Sequence, residues 1–130
     1  MKINLSKEIK GWVAQAKADL KTAKDCLTAG NYYASVLFSQ QCAEKSLKGL
    51  FIGIMSKLPP KIHDLVELGR LVNLPNSIKL LTERLSGTYF TSRYPGVAPQ
   101  IPVKFYDQIK AETHLSEAEV IYKWVEKMIK

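Results

Sequence analysis

Apolar residues step through this chain by threes and fours over long stretches, and nowhere do they alternate as a strand requires. Leu5, Ile9, Trp12, Val13, Ala16, Leu20, Ala23 and Leu27 draw one stripe, which predicts a first helix over Ser6–Ala29. Gly30 supplies a left-handed stop, and Asn31 can cap the next helix. So short a connection requires two antiparallel helices. The second helix, Tyr32–Ile54, is apolar over most of its circumference through Tyr33, Val36, Leu37, Phe38, Ala43, Leu47, Leu50, Phe51 and Ile54. A helix of that kind belongs at the centre of a fold.

Punctuation residues divide the remainder. Pro59-Pro60 ends the second helix, and a shorter helix is expected over Ile62–Leu71. His63-Asp64 marks its start, the carboxylate favouring the positive end of the helix dipole. A turn at Pro75-Asn76-Ser77 opens a fourth helix through Ile78, Leu81, Leu85 and Tyr89. The segment Tyr94–Tyr106 carries Pro95, Pro99 and Pro102 with no helical pattern, and a loop of that length in a compact domain is usually functional, contacts a partner or is mobile. The last helix is expected from an Asp107 cap to Ile129, with Ala111, Leu115, Ala118, Tyr122, Val125 and Ile129 as its stripe. The pattern predicts one all-α domain over residues 1–130, an antiparallel up-and-down bundle of about four to five helices.

Composition excludes several classes. No apolar run approaches the roughly eighteen residues of a membrane span, and no signal peptide precedes the first stripe, so a cytoplasmic protein is expected. Cys26 and Cys42 lie inside helices without a CxxC spacing or a neighbouring histidine, which predicts free thiols and no metal. A glycine-rich phosphate loop, HExxH and GxSxG are all missing, and no cofactor is indicated. The net charge of +7 points to an acidic partner such as a nucleotide, RNA or an acidic protein. Lys17, Lys21 and Lys24 share one helix face, a spacing that suits either a phosphate contact or a solvated surface.

Tyr89-Phe90-Thr91-Ser92-Arg93-Tyr94-Pro95-Gly96 is the segment with most chemistry. Arg93 offers a planar fork suited to phosphate or carboxylate, which lysine cannot imitate. Its plainer reading is a helix-terminal cation facing the dipole, or a pair with Glu44 or Asp19 inside the bundle. On the second helix Gln41, Lys45 and Lys48 share a face beside Glu44, and Lys45 and Arg93 could meet one phosphate. Glu44 and Lys48 also form an i, i+4 pair worth a few tenths of a kcal/mol. His63 and His114 are the only histidines; either can transfer a proton if a partner group lies beside it.

Ala18-Asp19-Leu20, Gly30-Asn31-Tyr32-Tyr33 and Phe38-Ser39-Gln40-Gln41-Cys42-Ala43-Glu44-Lys45-Ser46-Leu47-Lys48 resemble the first helical hairpin of HEPN domains. His63-Asp64-Leu65 and Tyr89 to Pro95 resemble that family's later signatures, in the expected order, over Trp12 to about Val125. The resemblance implies a helical bundle that forms a homodimer and is often encoded beside a minimal nucleotidyltransferase, commonly as a toxin–antitoxin pair. It also implies a metal-independent ribonuclease motif, an arginine followed a few residues later by a histidine. Here Ala98, Pro99 and Gln100 stand where that histidine would follow Arg93; Arg84 and Arg70 are likewise followed by none. The expectation is therefore a non-catalytic module that binds a nucleotide or acidic ligand through Arg93, Tyr94, Pro95, Tyr89, Lys45, Gln41 and Lys48. The alternative is a ribonuclease toxin with a displaced catalytic set, Arg93 with His63.

Overall fold

In the computed structural model, which describes residues 5–129, the chain is all-helical and follows the antiparallel plan the periodicity predicts. α1 (Leu5–Thr28) and α2 (Tyr32–Met55) form the first hairpin. Gly30 makes the turn at φ +80°, a conformation that costs glycine nothing. Asn31 departs from expectation. It precedes α2 with φ −89° and ψ 74°, and its side chain makes no capping hydrogen bond, although its carbonyl accepts the Ser35 N–H as the first bond of the helix. The hairpin closes tightly at Gly49, where an added Cβ would lie 3.1 Å from Val13 Cγ2. Ser35 ties the two helices further by donating its hydroxyl to the Ala23 carbonyl at 2.8 Å.

α3 (Leu65–Leu71) begins later than its apolar pattern, because Asp64 caps it. The Asp64 Oδ1 accepts the N–H groups of Val66 at 2.9 Å and Glu67 at 3.2 Å. α4 (Asn76–Ser86) and the single turn α5 (Thr88–Thr91) continue one another through Gly87, which keeps helical angles. The proline-rich segment also differs from expectation in part, since Pro102–Phe105 winds into one further turn, α6. Proline at the first helical position explains it, having its φ already set and no N–H to leave unbonded. Buried Tyr106 anchors the end of this segment, its hydroxyl bonded to the Thr91 hydroxyl. α7 (Gln108–Ile129) starts from Asp107 as expected, with the Lys110 N–H on Asp107 Oδ1 at 2.8 Å.

α2 is the central element, packed against α1 on one side and α7 on another. Ala43, Leu47, Leu50 and Phe51 meet Leu65, Leu68, Ile78, Leu85, Ala118, Ile121 and Val125 in the main core. A second cluster joins Ala16, Leu20 and Cys42 to Tyr122, and a third joins Val36, Tyr106 and Ala111. Among the described residues no helix is long and apolar enough to cross a membrane.

Cys26 and Cys42 are free thiols. Burial pushes the Cys42 thiol up to about 12, far from the thiolate range in which cysteine reacts. Iodoacetamide at pH 8 should therefore label Cys26 alone in the native protein and both cysteines in denaturant. Labelling of Cys42 without unfolding, read by peptide mass, would contradict this packing.

Candidate ligand-binding site

The polar row on α2 is largely sealed from water. Gln40 and Lys48 lie one turn either side of Glu44, and both reach it: Gln40 Nε2 donates to Oε1 at 3.1 Å, Lys48 Nζ to Oε2 at 3.1 Å. The Glu44 and Lys48 side chains are only 5% and 7% exposed. Trp12 covers the ammonium from α1, with the ring centroid 5.7 Å away. Lys45 points to α1 as well, bonded to Asp19 Oδ2 at 2.5 Å, while Gln41 donates to Gln40 Oε1 at 2.7 Å.

His63 occupies the segment just before α3 and lies against this buried carboxylate. Its Nδ1 is 3.1 Å from Glu44 Oε1 and 3.3 Å from Oε2. Glu44 already accepts from the Lys48 ammonium, so its carboxylate is an acceptor and Nδ1 carries the hydrogen. Nε2 is left without a protein partner among the described residues, on a side chain that is 50% exposed. Gln40 Nε2 also donates to the His63 carbonyl at 3.4 Å, holding the backbone as well as the ring.

Tyr89 of α5 stacks on His63, with centroids 4.1 Å apart and planes inclined by 14°. One helical turn on, the Arg93 guanidinium carbon lies 3.9 Å from the same Tyr89 centroid, and Nη1 donates to the Tyr89 carbonyl at 3.0 Å. A ring and a guanidinium cannot both lie this close to one centroid on the same face. The order is therefore His63, Tyr89, Arg93, a three-layer stack with both faces of Tyr89 covered. Tyr89 thus has only its edge and hydroxyl to offer a ligand, not the open face that base stacking needs.

Arg93 differs from the other arginines. Arg70 is bonded to Glu67, and Arg84 approaches Glu117 at 4.0 Å. Among the described residues no carboxylate lies within ion-pair distance of Arg93; Asp19 belongs to Lys45, and Glu44 to Lys48 and His63. The internal pairing of Arg93 with Glu44 or Asp19 that the sequence allowed is therefore not formed. Tyr94 and Pro95 follow on the exposed turn after α5, Tyr94 at 49% exposure. Beside the stack, Ile62, His63, Asp64, Ser86, Gly87, Tyr89 and Phe90 line a cleft of about 450 Å³.

The remaining sequence candidates lie apart from this cluster or are already engaged. Lys21 bonds Asp25 at 2.8 Å and Lys24 bonds Glu119 at 2.6 Å, so the lysine face of α1 is partly neutralised. His114 packs edge-on against Tyr106, and its Nδ1 lies 2.8 Å from the buried Glu117. Among the described residues no cluster of His, Cys, Asp and Glu could hold a metal ion.

The HEPN domain family matches residues 9–128. This chain belongs to that family. Among solved structures, the HEPN chain is similar to a protein from Thermus thermophilus, with TM-score 0.82 and 28% identity over 92% of this chain and 96% of that one. It is likewise similar to an archaeal HEPN homologue, with TM-score 0.78 and 34% identity over 94% and 98%. A HEPN domain protein of Thermotoga maritima shares the fold, with TM-score 0.71 and 24% identity over 92% and 97%. No curated protein matches the chain.

Within this HEPN fold, Glu44 binds three side chains at once, so removing one leaves a buried charge short of partners. Lys48→Met should cost about 3–5 kcal/mol in urea unfolding. The double variant Glu44→Gln/Lys48→Met should cost less than the single one. A double variant as unstable as the sum of both singles would show that the pair is not energetically coupled.

Proposed function

We propose that this HEPN protein is a non-catalytic module that binds a nucleotide or other phosphate-bearing ligand at the Arg93–Tyr89–His63 stack. In this reading it works as a homodimer partnered by a minimal nucleotidyltransferase, as in a toxin–antitoxin pair. The observation that carries the binding site is the state of Arg93, a guanidinium oriented by Tyr89 with no carboxylate to satisfy it. A fork of donors held this way has lost part of its conformational freedom before a ligand arrives, and phosphate oxygens match its geometry. His63 adds a second donor or acceptor through Nε2, at a fixed distance across the Tyr89 ring. The excess of basic residues draws anionic ligands generally, while the stack supplies the specific contact.

Titration calorimetry with ATP tests the site. Arg93→Ala should weaken binding by about tenfold or more, in line with about 1.5–3 kcal/mol for a hydrogen bond to a charged group. Its melting temperature should change little, because the guanidinium is partly exposed. Retained affinity would remove Arg93 from the site.

One observation favours a second reading, a metal-independent ribonuclease using Arg93 and His63. A histidine whose Nδ1–H is fixed by a buried carboxylate, with Nε2 free, is suited to take the proton of a ribose 2′-hydroxyl. Arg93, on the far face of Tyr89, would stabilise the phosphate in the transition state. Purified tRNA incubated with the protein in EDTA decides between the two. Cleavage by wild type and by neither His63→Ala nor Arg93→Ala would establish the ribonuclease; no cleavage by any of them leaves the binding module.

A further inference from the structure

α7 carries a second buried carboxylate, and it is far less well met than Glu44. The Glu117 side chain is only 6% exposed, and a single hydrogen bond reaches it: His114 Nδ1 lies 2.8 Å from Oε1. Oε2 accepts none among the described residues. The cation beside it is Arg84 of α4, whose Nη1 stands 4.0 Å away, beyond hydrogen-bond length. Glu44, equally buried, is met by Gln40, Lys48 and His63. A buried carboxylate oxygen without a donor is costly, so Oε2 is where an added ammonium or N–H gains most.

Oε2 is the oxygen turned to Arg84, and both residues line an open cleft between α4 and α7. Its volume of about 430 Å³ lies in the range of small-molecule sites. Half-buried Leu81 and exposed Val120 give it an apolar wall, with Glu112 and Ser116 on the same lining. No other carboxylate among the described residues lies within ion-pair distance of Arg84, so its fork of donors is as poorly met as Oε2. A lone anion in this cleft would face Glu112 and Glu117, and a lone ammonium would face the guanidinium. A ligand carrying both charges on one carbon satisfies both partners. We infer that this cleft binds a small zwitterion, an α-amino acid with an aliphatic side chain. Its ammonium meets Glu117 Oε2, its carboxylate meets the planar fork of Arg84, and its side chain packs on Leu81 and Val120. This site is separate from the Arg93 stack and does not depend on the reading given to that stack.

Two exposed positions make the inference testable without opening the core. Arg84→Met removes the fork and keeps a long, unbranched side chain on the surface of α4. It also takes from Glu117 the cation beside it, so a second variant is needed that leaves both charges in place. Ser116→Trp does this, because Ser116 lines the cleft from an exposed position on α7 where a large ring can fill the space. Its melting temperature should stay close to that of wild type.

The measurement is calorimetric affinity for L-valine, L-leucine and L-isoleucine, each beside its analogue without the amine and its analogue without the carboxylate. At least one amino acid should bind saturably, and both of its analogues should bind about tenfold more weakly or worse. Ser116→Trp and Arg84→Met should each weaken the amino acid by a similar factor. No saturable heat from any of the three up to about 10 mM would overturn the inference. So would an analogue that binds as tightly as its amino acid, since one charge would then suffice. Affinity that survives both Ser116→Trp and Arg84→Met would place the amino acid elsewhere and overturn this cleft as its site.

Discussion

A carboxylate with almost no access to water sits in the middle of the central helix, and the site is arranged around it. Glu44 accepts from Gln40 and Lys48 on its own helix and from the His63 ring on the approach to α3. Burying an ionised group is costly unless its oxygens are met by donors and an opposite charge. Here the Lys48 ammonium supplies the charge, and Trp12 shields it from the α1 side. The requirement runs outward from the core: a satisfied Glu44 fixes His63, and a fixed His63 gives Tyr89 a flat surface to lie on. Arg93 is the last layer, and the first with no acidic partner.

This arrangement divides positive charge into two kinds. Lys45, Lys48 and Lys24 are engaged by Asp19, Glu44 and Glu119; the first and last pairs join α1 to α2 and to α7, while Lys48 neutralises Glu44 within α2. Arg93 makes only a carbonyl hydrogen bond and a contact with a ring face. Neither neutralises it. A cation left in that state, one ring away from a half-exposed imidazole, is the observation on which the proposed phosphate contact rests. The Tyr106–Thr91 hydrogen bond supports the same region from below by tying the proline-rich segment to α5.

Much of the fold was legible because its causes are local. The α1 stripe, the Gly30 stop and the Asp107 cap each depend on residues a few positions apart, and all three occur where the pattern places them. Asn31 does not cap with its side chain, and its backbone, at ψ 74°, lies away from the extended conformation that capping residues usually adopt. The site was legible only in parts. His63, Tyr89 and Arg93 could each be singled out by residue type, but their stacking depends on how α5 returns over the approach to α3. Glu44 shows the difference most clearly. Its i, i+4 spacing to Lys48 suggests a surface pair of small value, whereas burial makes it the anchor for a histidine nineteen residues away. Asp64 and Phe90 were visible as a helix start and a neighbour of Tyr89; nothing in their spacing showed that they share a cleft.

The central claim is that buried Glu44 holds the His63 ring by Nδ1 against Tyr89. Long-range ¹H–¹⁵N correlation NMR of the two imidazoles, in wild type and in Glu44→Gln, reads this directly. At a pH where His63 is neutral, the Nδ1–H tautomer is expected, with ring protons moved upfield by the Tyr89 ring current. In Glu44→Gln both features should weaken. A His63 with the ordinary Nε2–H tautomer, unshifted ring protons and no response to Glu44→Gln would contradict the claim.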